Sequence, residues 1–472
     1  MNLEQFLTYI QGGAYEVAKQ LLQFELQNED RKQLRLVSRA INLVVLEHPI
    51  LTTLYVSTLP PDLSYLEVIS HNEKLLRHVS TLVWDHSAFN LCFFLPGEAY
   101  QNYVWKNSLV HCVGEVRGKF IMGVWKSQAI SQRKNIESSR DAALLTKIIP
   151  ALKSVRSIIF AAHFYHSTRE SPSSRTYKNS VPPEACLPIA AYWLKIGEAY
   201  LPDPEPDMDE EIQAEISSGF WDSLCVRGPE VLHNILSHGE WNGDLTHRTC
   251  LQHLFPKLER IDLDHMPPEF LSLSRGGPVC KVLQESTSGI RELSLRVSLP
   301  DALDAQVQFL TEIKSVVKMY STSLQYLVVE LDSFCSNGER LPLIPAMTEL
   351  LPQLGVLSNL TIWMSSLYTT STQLADFSKA VEACKPLQSL ELFELCLEDE
   401  RWEDVLSLWK QSGDLNGLDR IWLAGVLCTY QTNGSLKSKR SYQPRSGSAI
   451  ADWLNGKASE FPLESFGSED DD

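Results

Sequence analysis

The densest group of side chains able to hold a metal is His233, His238, Glu240, Asp244 and His247. Zinc needs three or four such ligands at spacings that bring them to one point. These spacings match no established pattern, and no cysteine pair completes a set. A polar helix and loop at the surface accounts for them. Gly114-Glu-Val-Arg-Gly118-Lys119 is one residue short of a phosphate-binding loop. Such a loop wraps phosphate in backbone amides and sets a hydroxyl on magnesium, but Phe120 stands where the hydroxyl belongs, so an ordinary turn is expected. Gly-x-Ser-x-Gly, His-Glu-x-x-His and Gly-x-Gly-x-x-Gly are all missing from the sequence. The residue types therefore predict no catalytic group, metal ligand or cofactor, and a chain that is not an enzyme. Lys437-Ser-Lys-Arg440 reads as a solvated loop, with a nuclear address as the other reading. Ser468, ahead of Glu469-Asp-Asp-Asp472, suits an acid-directed kinase or simply a soluble tail.

Chemistry that is missing at single sites shifts attention to the elements that repeat. Leu387-Gln-Ser-Leu-Glu-Leu392 is apolar, two spacers, apolar, one spacer, apolar. Leu390 and Leu392 share one face of an extended backbone, Glu391 takes the other, and Leu387 points inward from the bend before the strand. The same phrase occurs at Leu258-Glu-Arg-Ile-Asp-Leu263, Ile290-Arg-Glu-Leu-Ser-Leu295, Leu324-Gln-Tyr-Leu-Val-Val329, Leu357-Ser-Asn-Leu-Thr-Ile362 and Leu418-Asp-Arg-Ile-Trp-Leu423. The steps are 32, 34, 33, 30 and 31 residues, which is the regularity of a stacked repeat. Weaker copies lie at Val79-Ser-Thr-Leu-Val-Trp84 and Val155-Arg-Ser-Ile-Ile-Phe160. Helical patterns fall between the phrases: Val307, Leu310, Ile313 and Val317; Leu374, Phe377, Val381 and Cys384; Trp402, Val405, Leu408 and Trp409. Strand then helix at each step predicts right-handed crossovers and a parallel sheet. An all-helical repeat of similar length is the competitor, and the three-then-two spacing with its Val, Ile and Tyr content favours the strand.

Composition sets the frame. Hydrophobic residues make up 44% and charged ones 21%, as in an ordinary folded protein. A formal charge of −17 argues against non-specific nucleic-acid binding, which needs clustered Lys and Arg. No apolar run approaches the ~20 residues that span a bilayer, and Met1 to Ile10 lacks the basic start of a signal peptide. Ten cysteines without a Cys-x-x-Cys pair predict reduced thiols and an intracellular protein, cytoplasmic or nuclear.

Three regions follow. Residues 1–57 read as a small helical segment ending in the β-like Leu54-Tyr-Val-Ser57. Residues 58–430 carry the repeats, with inserts at 167–183 and 202–211 too poor in apolar residues to offset their ordering entropy, and a helix between them over Ile189–Ala199. From 86 to 150 the phrase is lost, and Val104-Trp105 and Phe120-Ile-Met-Gly-Val-Trp125 read as strands. Residues 431–472 read as a polar, acidic tail, in which Ile450-Ala-Asp-Trp-Leu454 docks back on the last repeat.

Leu34-Arg-Leu-Val-Ser-Arg39, His48-Pro-Ile-Leu51, Leu54-Tyr-Val-Ser57, Ile69-Ser70, Leu76-Arg-His-Val79 and Leu82-Val-Trp-Asp-His86 together resemble the opening of fungal F-box proteins with leucine-rich repeats. The resemblance covers roughly residues 20–90, and the Leu-Pro-x-Glu that opens the family's first helix is missing, since no proline precedes Pro49. It implies an irregular leucine-rich-repeat solenoid, parallel strands on its concave face and helices outside, behind a helical F-box-like segment. The repeat step is longer than the ~20–29 residues usual for that class. It also implies a target-recognition subunit of a Skp–cullin–F-box ubiquitin ligase. Leu22, Leu34, Val37 and Ile41 would meet the Skp-type adaptor and, through it, the cullin. The alternative is a stand-alone scaffold in which those side chains only cap the first repeat.

On the repeat surface, residues flanking each inward pair would face the concave side. Tyr326, Trp363, Glu391, Phe393, Arg420 and Trp422 are the expected target-binding set. Trp363 and Phe393 share a column in adjacent repeats, about 5 Å apart, and Trp422 lies in the next column one repeat on. Clustered aromatics mark protein-binding hot spots, unless the segment around Trp453 covers them.

Overall fold

The computed structural model describes residues 51–86, 115–161, 251–266, 289–299, 303–332, 341–398, 401–424, 427–430, 440–444 and 449–466, with isolated positions at 227, 228, 230–235, 271 and 283. Leu22, Leu34, Val37 and Ile41 lie outside them, as do both inserts, Ile189–Ala199, Val104-Trp105, His238, Glu240, Asp244, His247 and Ser468. The chain forms two compact units, one of residues 1–158, 167–216 and 251–258, the other of residues 159–166, 217–250 and 259–472.

In the first unit, β1 (Thr53–Val56) is followed by α1 (Pro60–Ile69), α2 (Glu73–Leu76), β2 (Thr81–Asp85), α3 (Glu115–Glu137), α4 (Arg140–Ile148) and the first two residues of β3 (Ser157–Ala161, in the second unit from Ile159), with the short α5 at Leu251–Leu254. β1 and β2 pair in parallel, Leu54 against Leu82 and Val56 against Trp84, all buried. Among the described residues the parallel pairing thus begins at Thr53, inside the stretch grouped with the N-terminal helices. The reason is visible in Leu51-Thr-Thr-Leu-Tyr-Val56, which is another copy of the phrase. α1 opens on Pro60-Pro61, whose fixed φ suits a first turn, and the Ser57 hydroxyl donates to buried Asp62 at 2.7 Å. Residues Phe120 to Trp125 are helical, within α3, not a strand. A short apolar run cannot distinguish the two states, and here the 23-residue span of α3, far longer than a strand, decides. α3 is fastened by Gln132 Nε2 donating to Thr58 Oγ1 (2.8 Å) and Asn135 Nδ2 to the Thr58 carbonyl (3.0 Å).

In the second unit strand and helix alternate: β4 (Arg260–Met266), β5 (Glu292–Ser298), α6 (Leu303–Met319), β6 (Tyr326–Asp332), α7 (Leu343–Leu350), β7 (Asn359–Thr369), α8 (Ser371–Ala383), β8 (Ser389–Glu398), α9 (Trp402–Ser412), β9 (Arg420–Ala424) and β10 (Leu427–Tyr430). From β4 to β8 each strand pairs in parallel with the next, and β8 pairs in parallel with β9 and then β10. The register joins Arg260, Glu292, Tyr326, Asn359, Ser389 and Arg420 in one row, which reproduces the steps read from the sequence.

One local device recurs at seven of the rungs among the described residues. The carbonyl of the residue just before a strand accepts two successive N–H groups from the next rung, at 2.7–3.1 Å. Glu259, Arg291, Gln325, Ser358 and Gln388 do this in the second unit, and Thr52 and Ser80 in the first. A further buried residue stands three positions ahead of most phrases: Leu76, Leu152, Phe255, Leu354, Cys384 and Leu415. Its carbonyl accepts the N–H that opens the phrase and so forms the bend into the strand. The unit is therefore Leu-x-x-Leu-x-x-Leu-x-Leu, one contact longer than the six-residue phrase.

The helices pack on one face of the strands. α8 starts with a capping box, Thr370 Oγ1 accepting from Gln373 N and Gln373 Oε1 from Thr370 N, both at 3.2 Å. α9 stops at Gly413, whose φ of +73° is the left-handed conformation glycine adopts without strain. Buried faces follow the expected periods with two corrections. Val307 and Leu408 are 46% and 47% exposed, and Leu310 with Phe309, and Leu406 with Val405, take the inward positions. Each exposed residue lies one position off a stripe that α-helical geometry sets elsewhere.

Where a tail is expected over 431–472, β11 (Arg440–Pro444), α10 (Ala449–Leu454) and β12 (Leu463–Phe466) form. β11 is antiparallel to β10 and β12 to β11, so the sheet changes from crossover to ribbon topology at this end. Arg440, from the basic patch, is the first residue of β11. Among the described residues no helix is long and apolar enough to cross a membrane.

Candidate target-binding face

Alternation sends Ile261, Leu263, Leu293, Leu295, Leu327, Val329, Leu360, Ile362, Leu390, Leu392, Ile421 and Leu423 into the core. The residues between them face away from the helices in three columns. Two of these run Asp262, Ser294, Val328, Thr361, Glu391, Trp422 and, from β6 on, Glu330, Trp363, Phe393, Ala424. Trp363 stands directly opposite Phe393, and Trp422 opposite Glu391, as the sequence predicts.

At the β7–β9 end the aromatic side chains hold one another. The Phe393 and Trp422 rings lie 6.5 Å apart, tilted at 34°. Arg420 places its guanidinium 4.7 Å over the Trp422 ring and 3.0 Å from the Glu391 carboxylate. Thr361 Oγ1 donates to the other Glu391 oxygen at 3.3 Å. Five of the six expected residues thus form one half-buried cluster. Tyr326, 46% exposed, stands apart in the first column, three strands or about 14 Å from Arg420.

The segment expected to cover this cluster goes elsewhere. α10 packs beside α9 and β9. Among the described residues the Trp453 ring meets Phe461, edge-on at 5.4 Å, and the Lys410 ammonium 3.9 Å above its face. Lys410 belongs to α9, so this packing lies on the helix layer.

Between Trp363 and the point where β7 and β8 resume pairing at Leu367 and Leu395, β7 carries two more residues than β8. Glu394 absorbs the mismatch with φ of +57°, the left-handed region unfavourable to a side chain. This bulge follows immediately on the Trp363–Phe393 pair along the two strands, and across the strands the column continues to Ala424. No signal in the sequence announces the bulge.

At the β4–β6 end the face is charged. Arg260 pairs with Asp262 (2.9 Å) and Glu292 (3.5 Å), and Arg296 with Glu330 (3.0 Å) and Asp264 (3.3 Å). Burial works against the Arg296 charge, but Asp262, Glu330 and Asp264 outweigh it and raise its pKa above the ordinary arginine value. The alternation of Arg-Ile-Asp-Leu-Asp in β4 and Glu-Leu-Ser-Leu-Arg in β5 places these charged side chains on the outer face from the sequence alone, and which of them pair is decided by the strand register.

His233 lies in a helical segment at 230–235, and Glu115 to Lys119, expected as an ordinary turn, instead form the first residues of α3, while Gly114 lies outside the described residues. No group of three His, Cys, Asp or Glu side chains among the described residues could hold a metal. No protein-family model matches the chain, and no curated protein sequence does either.

Proposed function

We propose that this chain is the target-recognition subunit of a Skp–cullin–F-box type ubiquitin ligase, acting in the cytoplasm or nucleus and contributing no chemistry of its own. The observation that carries this reading is the registered face of β4–β9. There Trp363, Phe393 and Trp422 stand side by side on a rigid parallel sheet, away from the helix layer. Aromatic residues with an arginine beside them are the side chains that dominate protein–protein binding energy. The sequence likeness over residues 20–90 to F-box proteins with irregular leucine-rich repeats supplies the other half, an N-terminal adaptor contact through Leu22, Leu34, Val37 and Ile41.

Co-expression with a Skp-type adaptor tests it. A stable complex is expected, lost in the Leu34→Asp, Val37→Asp double variant while the repeat units stay folded. If no complex forms with the intact chain, adaptor docking is wrong. A second reading then gains weight, because among the described residues β1 pairs on one side only, with β2. A helical segment ahead of it would cover that open edge, leaving a scaffold without a ligase. Deleting residues 1–50 would then cause aggregation, while partner binding at the repeat face persists.

A further inference from the structure

At the charged end of the face three buried polar atoms have no hydrogen-bond partner among the described residues, Asp262 Oδ1, Ser294 Oγ and Arg296 Nε, and of these Arg296 Nε still lies 3.0 Å from a Glu330 oxygen as an ion pair. Asp262, 4% exposed, has its Oδ2 on Arg260, but its Oδ1 has no hydrogen-bond partner among the described residues. Ser294, 5% exposed, stands opposite it on the next strand, and its hydroxyl has none either. Buried polar atoms are nearly always partnered, so two neighbouring exceptions on a binding face mark the place where a ligand group would complete the bonding. The charge there selects the ligand. Asp262, Asp264, Glu292 and Glu330 surround two guanidinium groups, an excess of carboxylate that disfavours an anion.

We propose that the β4–β6 half of this face binds a basic residue of the target protein, seated on Asp262 and Ser294, while a large apolar residue of the same target segment lies on Trp363, Phe393 and Trp422. This deepens the reading of the face as a target-binding surface and rests on it. Arg260 guards the seat, but it is half exposed and keeps Glu292 as a second partner when it swings aside. Exposed pairs of this kind hold weakly, so an incoming guanidinium or ammonium can replace it on Asp262. Its remaining donors reach Oδ1, and Ser294 accepts another. β4 and β5 lie four and three strand spacings from β8, about 14–19 Å. An extended target segment crossing the strands covers that distance in about four to six residues. The expected recognition element is therefore an Arg or Lys and a Trp, Phe or Leu that many positions apart.

Fluorescence polarisation on the full chain decides it, using labelled Gly/Ser dodecapeptides with one Arg and one Trp at separations from two to eight. The peptides separated by four to six should bind about tenfold tighter than the same peptides with Glu for Arg. Asp262→Asn should abolish that charge preference. Ser294→Ala, which leaves the ion pairs intact, should reduce it several-fold, and Phe393→Ala should weaken both peptide sets. Equal binding of the Arg and Glu peptides, or a preference that survives both Asp262→Asn and Ser294→Ala, overturns the basic seat but leaves the aromatic surface standing. No binding by either set, with Phe393→Ala without effect, removes the face as a binding surface and the seat with it.

Discussion

Ser294 and Glu394 show how much a single position can carry without being conspicuous in the sequence. The Ser294 hydroxyl is buried and has no hydrogen-bond partner among the described residues, so removing it costs no hydrogen bond there and spares a desolvation penalty. Ser294→Ala should leave stability unchanged or raise it by about 0.5–1 kcal/mol, read as the urea midpoint. A loss of more than that would mean the hydroxyl is bonded within the protein. Glu394 holds a conformation that costs a side chain about 1–2 kcal/mol, and a β-branched residue more. Glu394→Val should therefore lower the melting temperature clearly, whereas Glu394→Gly should be tolerated, because glycine reaches φ of +57° freely. Neither property follows from residue type. Alternation placed Ser294 on the outer face, but its lack of a partner depends on what Asp262 and Arg296 do beside it, and the Glu394 bulge arises from two strands of unequal length meeting.

At the scale of the element, the repeating phrase was legible because burial of alternate residues is a local consequence of an extended backbone. Leu390 and Leu392 are fully buried and Glu391 is not, as period two requires. Helix faces were harder: Val307 and Leu408 were placed inward because several stripes of apolar residues fit a three-or-four spacing, and only the neighbouring helix chooses among them. Leu408→Ala should accordingly change stability by less than about 0.5 kcal/mol, while Leu354→Ala, at the buried bend ahead of β7, should cost about 2–4 kcal/mol. Cys384 fills the equivalent bend before β8, with its Sγ 3.3 Å from the Leu354 carbonyl. Burial raises its thiol pKa, and a backbone hydrogen bond from Leu387 opposes this only in part. The folded state thus favours the protonated thiol. Its contribution is complete below the ordinary thiol pKa of about 8.5 and shrinks as pH rises from there towards the folded value. Urea midpoints for the wild type should fall across that window more than those of Cys384→Ala.

For the whole molecule, the repeat spacing predicted the register of β4 to β9 over the repeated phrases, since strands stacked by one crossover each inherit their alignment from the phrase, while the shifts after Leu263 and Trp363 lie beyond it. The C-terminal end was not legible, and the reason is physical. Residues 431–448 are polar, and nothing in their composition favours order, yet a sheet whose last parallel strand is exposed offers backbone groups that any nearby extended segment can pair. β11 and β12 take that place through antiparallel ladders, and Ile450, Trp453, Leu454 and Leu463 bury themselves at the same end. The last strand, β12, is only Leu463–Phe466, and a short edge strand is a poor template for another chain. The C-terminal segment is on this account a structural cap. Truncation after Tyr430 should expose the β10 edge and the faces of α9 and β9 that α10 covers, giving concentration-dependent oligomers in light scattering and a lower melting temperature. The milder Trp453→Ala removes the ring held between Phe461 and Lys410, and should cost about 3 kcal/mol while β11 and β12 remain paired. A truncated chain that stays monomeric with an unchanged melting temperature would show that β4 to β10 close their own end, and that these last strands are appended to a sheet complete without them.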